Sequence, residues 1–370
     1  MSSTLDRAEI EAIPRTGLAI GPEERAAVLR VMASGMIAQG PEVAAFETEF
    51  ASTVDGRPSV AVNSGTSALL LGLLALGIGP GDEVVVPSFT FAATANAVVL
   101  TGAEPVFVDI EPQHFGVAPD AVSAAIGSRT AAIVAVHLYG HPVADELARI
   151  AGAHGLAFVE DAAQAHLATA GGRPVGTFGD LAAFSFYPTK NMTSGEGGMV
   201  VCADEATARR VRLLRNQGME QRYANEIVGY NARMTDLHAA IGRVQLRRLP
   251  GWTAERRRNA KYLTDTLACL TTPDELGLPR VADGVAPAWH QYTVRVPGRD
   301  GVLRSLDERG VPTGVYYPTP CHRLPAYDLH LDLPETAAAA AQVLSVPVHQ
   351  ALTGSQLERV ALGLAGAVRA

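Results

Sequence analysis

From Ser59 onward, short apolar runs alternate with stretches of helical period. Ser59–Val62, Glu83–Val86, Pro105–Val108, Ala131–His137 and Ala157–Glu160 are rich in Val and bounded by Gly, Pro or Asp, so each predicts a buried strand. Between them Thr66–Leu76, Ala92–Leu100, Ala118–Ile126 and Val143–His154 predict helices. Strand followed by helix, repeated, is the pattern of an α/β protein with a mostly parallel sheet covered on both faces. Ligands of such sheets bind beyond the carboxyl ends of the strands, so the turns leaving each strand are where chemistry is expected.

The rhythm changes after Asp161. Leu181–Phe186 and Met199–Cys202 pair as a hairpin-like unit around Tyr187–Gly198, and Asp204 caps a helix reaching Arg215. Leu237, Ala240, Ile241 and Val244 keep the spacing of an amphipathic helix. Pro250-Gly251 then reads as a boundary. Beyond it a long helix (Thr253–Leu267), a strand (Gln291–Val296), a helix (Val302–Arg309) and a terminal helix (Gly354–Val368) predict a smaller α+β domain. The expected division is 1–249 for a large domain with the N-terminal segment and 250–370 for a small C-terminal one.

Composition narrows the class. The chain has 370 residues, 48% hydrophobic and 18% charged, with 30 Lys+Arg against 38 Asp+Glu and a formal net charge of −8. That excludes a disordered chain and disfavours nucleic acid as a partner. No apolar run has membrane-spanning length, Leu69–Leu76 being broken by Gly72, and Met1–Arg15 lacks a signal-peptide core. Cys202, Cys269 and Cys321 are too scattered for a disulfide framework or a zinc site. A cytoplasmic enzyme with no membrane association is expected. The unusual numbers are 36 Gly and 23 Pro, gathered in part at Gly65, Gly79–Gly81, Gly195–Gly198 and Gly229. Gly65 and Gly197 are expected within close backbone reach of a ligand pocket.

Three features carry candidate chemistry. Asn63–Leu69 is a strand end, a glycine turn and a helix start, with Thr66 and Ser67 adding hydroxyls; it is either a phosphate cradle or an ordinary N-cap. Asp161 closes a strand facing the crevice, where a carboxylate serves a metal, a ribose hydroxyl, a protonated pyridine nitrogen or simply a cap. Lys190 lies in an apolar, Gly-rich loop rather than on a solvated helix face, which makes it a candidate amine of depressed pKa able to form a Schiff base. Together, anion cradle, strand-end Asp and loop Lys are the three contacts pyridoxal phosphate needs.

Several stretches resemble one family in its order: Ser34-Gly35 to Gly40-Pro41, Asn63–Leu69, Pro87–Thr94, Val106–Asp109, His137–Gly140, Glu160–Ala165, Ser185 through Lys190 to Gly198, and Gly229–Met234. From about Gly17 to the C-terminal helix, the chain resembles the pyridoxal-phosphate-dependent sugar aminotransferases of the DegT/DnrJ type, in the aspartate-aminotransferase (type I) fold. The resemblance implies pyridoxal 5'-phosphate bound covalently to Lys190. It implies Asp161 at the pyridinium nitrogen, Gln164 at the phenolic oxygen and Phe91 stacked on the ring in preference to Phe89. Gly65, Thr66, Ser67 and Ser185 would surround the phosphate. Asn231 would reach the phosphate in a neighbouring subunit, making a homodimer with shared sites the functional unit. The implied reaction moves an amino group from L-glutamate or glutamine to a 3- or 4-keto sugar on a nucleotide. A keto-cyclitol acceptor and a non-catalytic regulatory protein are the alternatives, and Lys190 argues against the related dehydratases, which carry His there. Tyr317 and His322, in Tyr316–His322, are candidate substrate contacts. The basic stretch Arg243, Arg247, Arg248, Arg256, Arg257, Arg258 and Lys261 reads either as a steering patch for a diphosphate or as the solvated faces of two helices.

Overall fold

The computed structural model describes residues 12–370 apart from Ala144, so the Met1–Glu11 part of the N-terminal segment read above lies outside the described residues. Chain order begins with α1 (Pro22–Ser34) and α2 (Pro41–Ala51), then β1 (Ser59–Val62), α3 (Gly65–Ala75), β2 (Glu83–Pro87), α4 (Ala93–Thr101) and β3 (Glu104–Val108). It continues through α5 (Pro119–Ala125), β4 (Thr130–Val136), α6 (Asp145–His154) and β5 (Ala157–Asp161). Two short strands, β6 (Thr169–Ala170) and β7 (Arg173–Pro174), precede β8 (Leu181–Ser185), β9 (Gly198–Cys202), α7 (Glu205–Arg215) and α8 (Asp236–Leu270). The last part holds β10 (Val285–Ala286), β11 (Tyr292–Arg295), α9 (Arg299–Glu308), α10 (Pro334–Gln342), β12 (Val343–Val346) and α11 (Gly354–Ala367).

The central sheet has seven strands in the order β1-β9-β8-β5-β4-β2-β3. The contacts β8-β5-β4-β2-β3 are parallel, and β9 runs antiparallel to both β1 and β8. Alternate residues feed opposite layers, as strand geometry requires. Val84 and Val86 pack with α3 and α4 residues such as Leu71 and Val98, whereas Val85 packs with Val122 and Leu147 of α5 and α6. This is the predicted α/β architecture, and every strand and helix expected up to His154 is present.

The expected break at Pro250 does not occur. α8 runs unbroken through Pro250. A mid-helix proline forfeits one backbone hydrogen bond, but both halves of the helix are anchored. Leu246 and Leu249 pack against the sheet-side cluster with Phe46 and Phe184. Ala260, Leu263 and Leu267 pack in a second core with Tyr292, Leu344 and Val360. Tertiary burial on both sides outweighs the local helix-breaking tendency. We propose that the division between the two units falls inside this helix, near Pro250. Ile13 packs into the second core, and Arg15 donates to the Thr313 carbonyl, so residues 13–15 lie along the C-terminal unit. Among the described residues no helix is long and apolar enough to cross a membrane.

Candidate active site

The carboxyl ends of the parallel strands open into a cavity of about 770 Å³. Its walls come from the turn before α3, the segment after β2, the ends of β5 and β8, the loop holding Lys190, and residues of the C-terminal unit.

At one pole, Ser64 is the N-cap of α3: its Oγ accepts from the Ser67 N–H at 3.1 Å. The helix therefore presents its first unpaired N–H groups to the cavity, a favourable place for an anion. Gly65, Thr66 and Ser185 line this pole. A Cβ on Gly65 would stand 2.7 Å from Ser185 Cβ, so only glycine lets the turn close against the end of β8. Ser67 is turned back on Ser64, whose hydroxyl donates to it at 3.0 Å, and does not line the cavity. Gly197 follows the lining residue Glu196 but packs away from the cavity, a Cβ there falling 2.3 Å from Met234 Cε. Of the two expected glycines, only Gly65 forms the wall.

In the middle stand Asp161 and Lys190. Asp161 is 6% exposed at the end of β5. Its Oδ2 accepts from Thr94 Oγ1 at 2.7 Å and its Oδ1 from the Ala163 N–H at 3.2 Å. Lys190 is half-buried, and burial lowers its pKa to about 8 although the Asp161 carboxylate pulls the other way. Gln164 Oε1 accepts from the Tyr139 N–H at 2.6 Å, and its Nε2 donates to Tyr317 Oη at 3.3 Å. Burial, followed by the Asp161 charge, raises the Tyr317 pKa, so this phenol stays protonated. Phe91 projects into the cavity, 57% exposed, with its ring 5.7 Å from that of Tyr317. Phe89, two residues earlier, is 1% exposed and packs on Phe115.

Besides Ser67, two further expected residues are not brought into this cavity. His322 is fully buried, with Nδ1 2.6 Å from Ser88 Oγ, and ties its segment to the end of β2 instead of lining the wall. Asn231 is exposed on a loop that pairs with Asn216 and leaves Val228 93% exposed. The basic stretch lies on one helix, α8, rather than two, and only Arg247, Arg258 and Lys261 stand exposed on a solvated face. Arg243 pairs with Glu42 and Glu49, and Arg248 with Glu23 and Glu24. Arg257 donates to the Leu167, Ala286 and Pro287 carbonyls, and Arg256 is buried in the cavity wall.

Thr94, Tyr139, Arg256 and His290 also shape the site and carried little signal. Thr94 lay inside a quoted motif, one helical turn after Thr90, with which it shares a 3.1 Å hydroxyl contact. His290, with Nδ1 3.0 Å from Asn191 Oδ1, stood in no motif. Burial and the positive charges of Lys190 and Arg256 hold its pKa well below the usual range.

Residues 18–365 match the DegT/DnrJ/EryC1/StrS aminotransferase family. The chain is 44% identical over 365 residues to a dTDP-3-amino-3,4,6-trideoxy-alpha-D-glucose transaminase of Streptomyces venezuelae, covering 96% of each. Its fold matches that of S. venezuelae DesV, solved in complex with a ketimine intermediate, at a TM-score of 0.92 and 42% identity, over 97% of this chain and 100% of that one. NtdA of Bacillus subtilis with bound cofactor PMP gives a TM-score of 0.90 and 32% identity, over 99% and 87%. With its family-wide match and relatives that it covers almost end to end, the chain belongs to the DegT/DnrJ/EryC1/StrS aminotransferase family.

Proposed function

We propose that this aminotransferase uses pyridoxal 5'-phosphate to move an amino group from L-glutamate or glutamine to a 3- or 4-keto sugar carried on a nucleotide, and that it works as a two-fold dimer. The observation that carries the reading is the pairing in one cavity of a half-buried Lys190 of depressed pKa with a buried, doubly hydrogen-bonded Asp161. The donor set fits the cofactor. The N-terminus of α3 with Thr66 and Ser185 suits its phosphate, Asp161 a ring N–H⁺, Phe91 a ring face, and Lys190 an aldehyde. When bound, the cofactor supplies an aldehyde that condenses with amines and a protonated ring that accepts an electron pair.

The chain's own groups do the rest. Lys190 Nζ, near neutrality in its proton affinity, can give up its proton to act as a nucleophile or base and take one back. Asp161 stays oriented because Thr94 and the Ala163 N–H fix both oxygens. Gln164 is held between the Tyr139 backbone and Tyr317. Tyr317, at the cavity rim beside Phe91, is placed to meet the substrate. The dimer is supported by the exposure of Asn231 outside its own cavity, in a loop with exposed Ile227, Val228 and Tyr230.

Purified protein supplied with the cofactor should acquire visible absorbance, lose it with L-glutamate and regain it with a keto-sugar nucleotide. No chromophore after reconstitution would overturn the reading. Amination of an inosose but of no nucleotide sugar would overturn the acceptor alone.

A further inference from the structure

The second pole of the cavity contains a charge without a partner. Arg256 sits mid-way along α8, 4% exposed, with its guanidinium in the cavity wall. Nη1 donates to the Trp289 carbonyl at 3.1 Å and to the His290 carbonyl at 3.3 Å. Nε is buried with no acceptor, and no carboxylate pairs with the guanidinium, among the described residues. Burial lowers its pKa to about 10 with no acid to offset the loss of solvation. Taking a guanidinium out of water with its Nε–H buried and unmet is costly, and such groups are ordinarily completed by an anion. The neighbours do not supply one. His166, His290 and His349 are all pushed down in pKa, by burial first and by the Arg256 charge among the further causes, so they stand as neutral rings around it.

We propose that Arg256 is the docking group for a substrate anion, and that this anion is the carboxylate of the amino-acid donor. The assignment rests on the aminotransferase reading above. Two chemical sources offer a suitable anion, the donor carboxylate and the nucleotide's phosphates. The donor carboxylate lies only two bonds from the amine that must reach Lys190, whereas the phosphates stand most of a sugar ring away from a 3- or 4-keto carbon. Arg256 shares its neighbourhood with Lys190, since both charges act on the same two imidazoles, His166 and His290. The α3 pole, already suited to the cofactor phosphate, lies with Ser64–Thr66 and Ser185.

The test uses holoenzyme, with binding of glutarate and of dTDP measured by calorimetry and the two half-reactions followed separately. In Arg256→Gln, glutarate affinity should fall by about 10- to 100-fold, the range for losing a hydrogen bond to a charged group. The donor half-reaction should lose a similar factor, mainly in KM, while dTDP affinity and the acceptor half-reaction change by less than about threefold. Arg256→Lys should fall between. Loss confined to dTDP would assign Arg256 to the phosphates and overturn the proposal, and loss of neither would reduce it to a brace for the Trp289–His290 backbone. Should Arg256→Gln not fold, unaltered holoenzyme decides: glutaramide binding as tightly as glutarate would overturn the proposal. Failure of the aminotransferase reading shows separately, as unaltered enzyme that no amino donor bleaches.

Discussion

Glu160 and Asp161, consecutive on β5, turn to opposite faces of the central sheet and do different work. Glu160 is fully buried: it meets His137 Nε2 at 3.1 Å and accepts from the Gly176, Phe178 and Gly179 N–H groups at 2.9–3.0 Å. Asp161 faces the cavity. The period of two along a strand separates a carboxylate that holds a loop from one that holds a ligand.

That separation is testable at Glu160. Burial would raise its pKa, but His137 and the loop amides more than offset this and leave it lowered. Glu160→Gln places an NH2 group among donors, and removing a satisfied buried charge typically costs about 3 kcal/mol. Urea unfolding should show a loss of that order. A change under about 1 kcal/mol would argue that the loop is held by other contacts.

On the cavity face, Thr94 fixes Asp161 Oδ2. Thr94→Val removes a hydrogen bond to a charged group, so affinity for pyridoxal phosphate should weaken by about 10-fold or more. Equilibrium titration of apoprotein by absorbance measures it, and unchanged affinity would remove Thr94 from the site.

Lys190 sets a pH signature. With its pKa near 8, the rate at which apoprotein captures pyridoxal phosphate should climb through pH 7–9 as the amine becomes neutral. The Asp161 carboxylate raises that pKa, so Asp161→Asn should move the midpoint to lower pH. A midpoint near that of a free lysine, at about 10.4, would contradict the buried setting. Lys190→Ala should capture no cofactor covalently and lose roughly 10³-fold in kcat, with its thermal unfolding preserved.

His166 predicts an acid weakness. It is 1% exposed, and its pKa is lowered to about 3 by burial and then by the Lys190 charge, which a backbone contact at Ser185 offsets only in part. The unfolded ring, with a pKa of roughly 6.5, protonates first as pH falls. The stability of the neutral ring is complete above that pH, and drains at about 1.4 kcal/mol per unit between pH 6.5 and 3. His166→Leu should flatten the dependence of unfolding free energy on pH by that slope. An unchanged slope would place the acid sensitivity elsewhere.

Subunit mixing examines Asn231. If it serves a neighbouring site, refolding Lys190→Ala with an inactive Asn231→Asp variant should create hybrids with one intact site and restore activity to roughly a quarter of the original. No recovery, with dimers present, would confine Asn231 to its own chain.

Much of this was legible in the chain because local patterns carry it. Val-rich runs and glycine turns placed the strands and their carboxyl ends, whereas Phe89 and Phe91, two apart and so on one side of an extended segment, are parted only by the bend that follows β2, one in the core and one in the cavity. Asp161 at a strand end and Lys190 in a loop without a solvated face were recognisable for the same reason. What local pattern could not decide was the fate of residues whose partners lie far along the chain. Pro250 reads as a break until cores on both sides of α8 hold it in a helix. His322 reads as a substrate contact until Ser88, 234 positions earlier, claims its ring. Arg256 looks like its charged neighbours until the Trp289–His290 carbonyls and the cavity wall enclose it. Sequence by itself determined the sheet, its turns and the cofactor-type residues, because hydrophobic period and turn chemistry act over a few residues. Only the tertiary structure decided which charges are paired, buried or left facing the cavity, because desolvation depends on everything that surrounds a group in space.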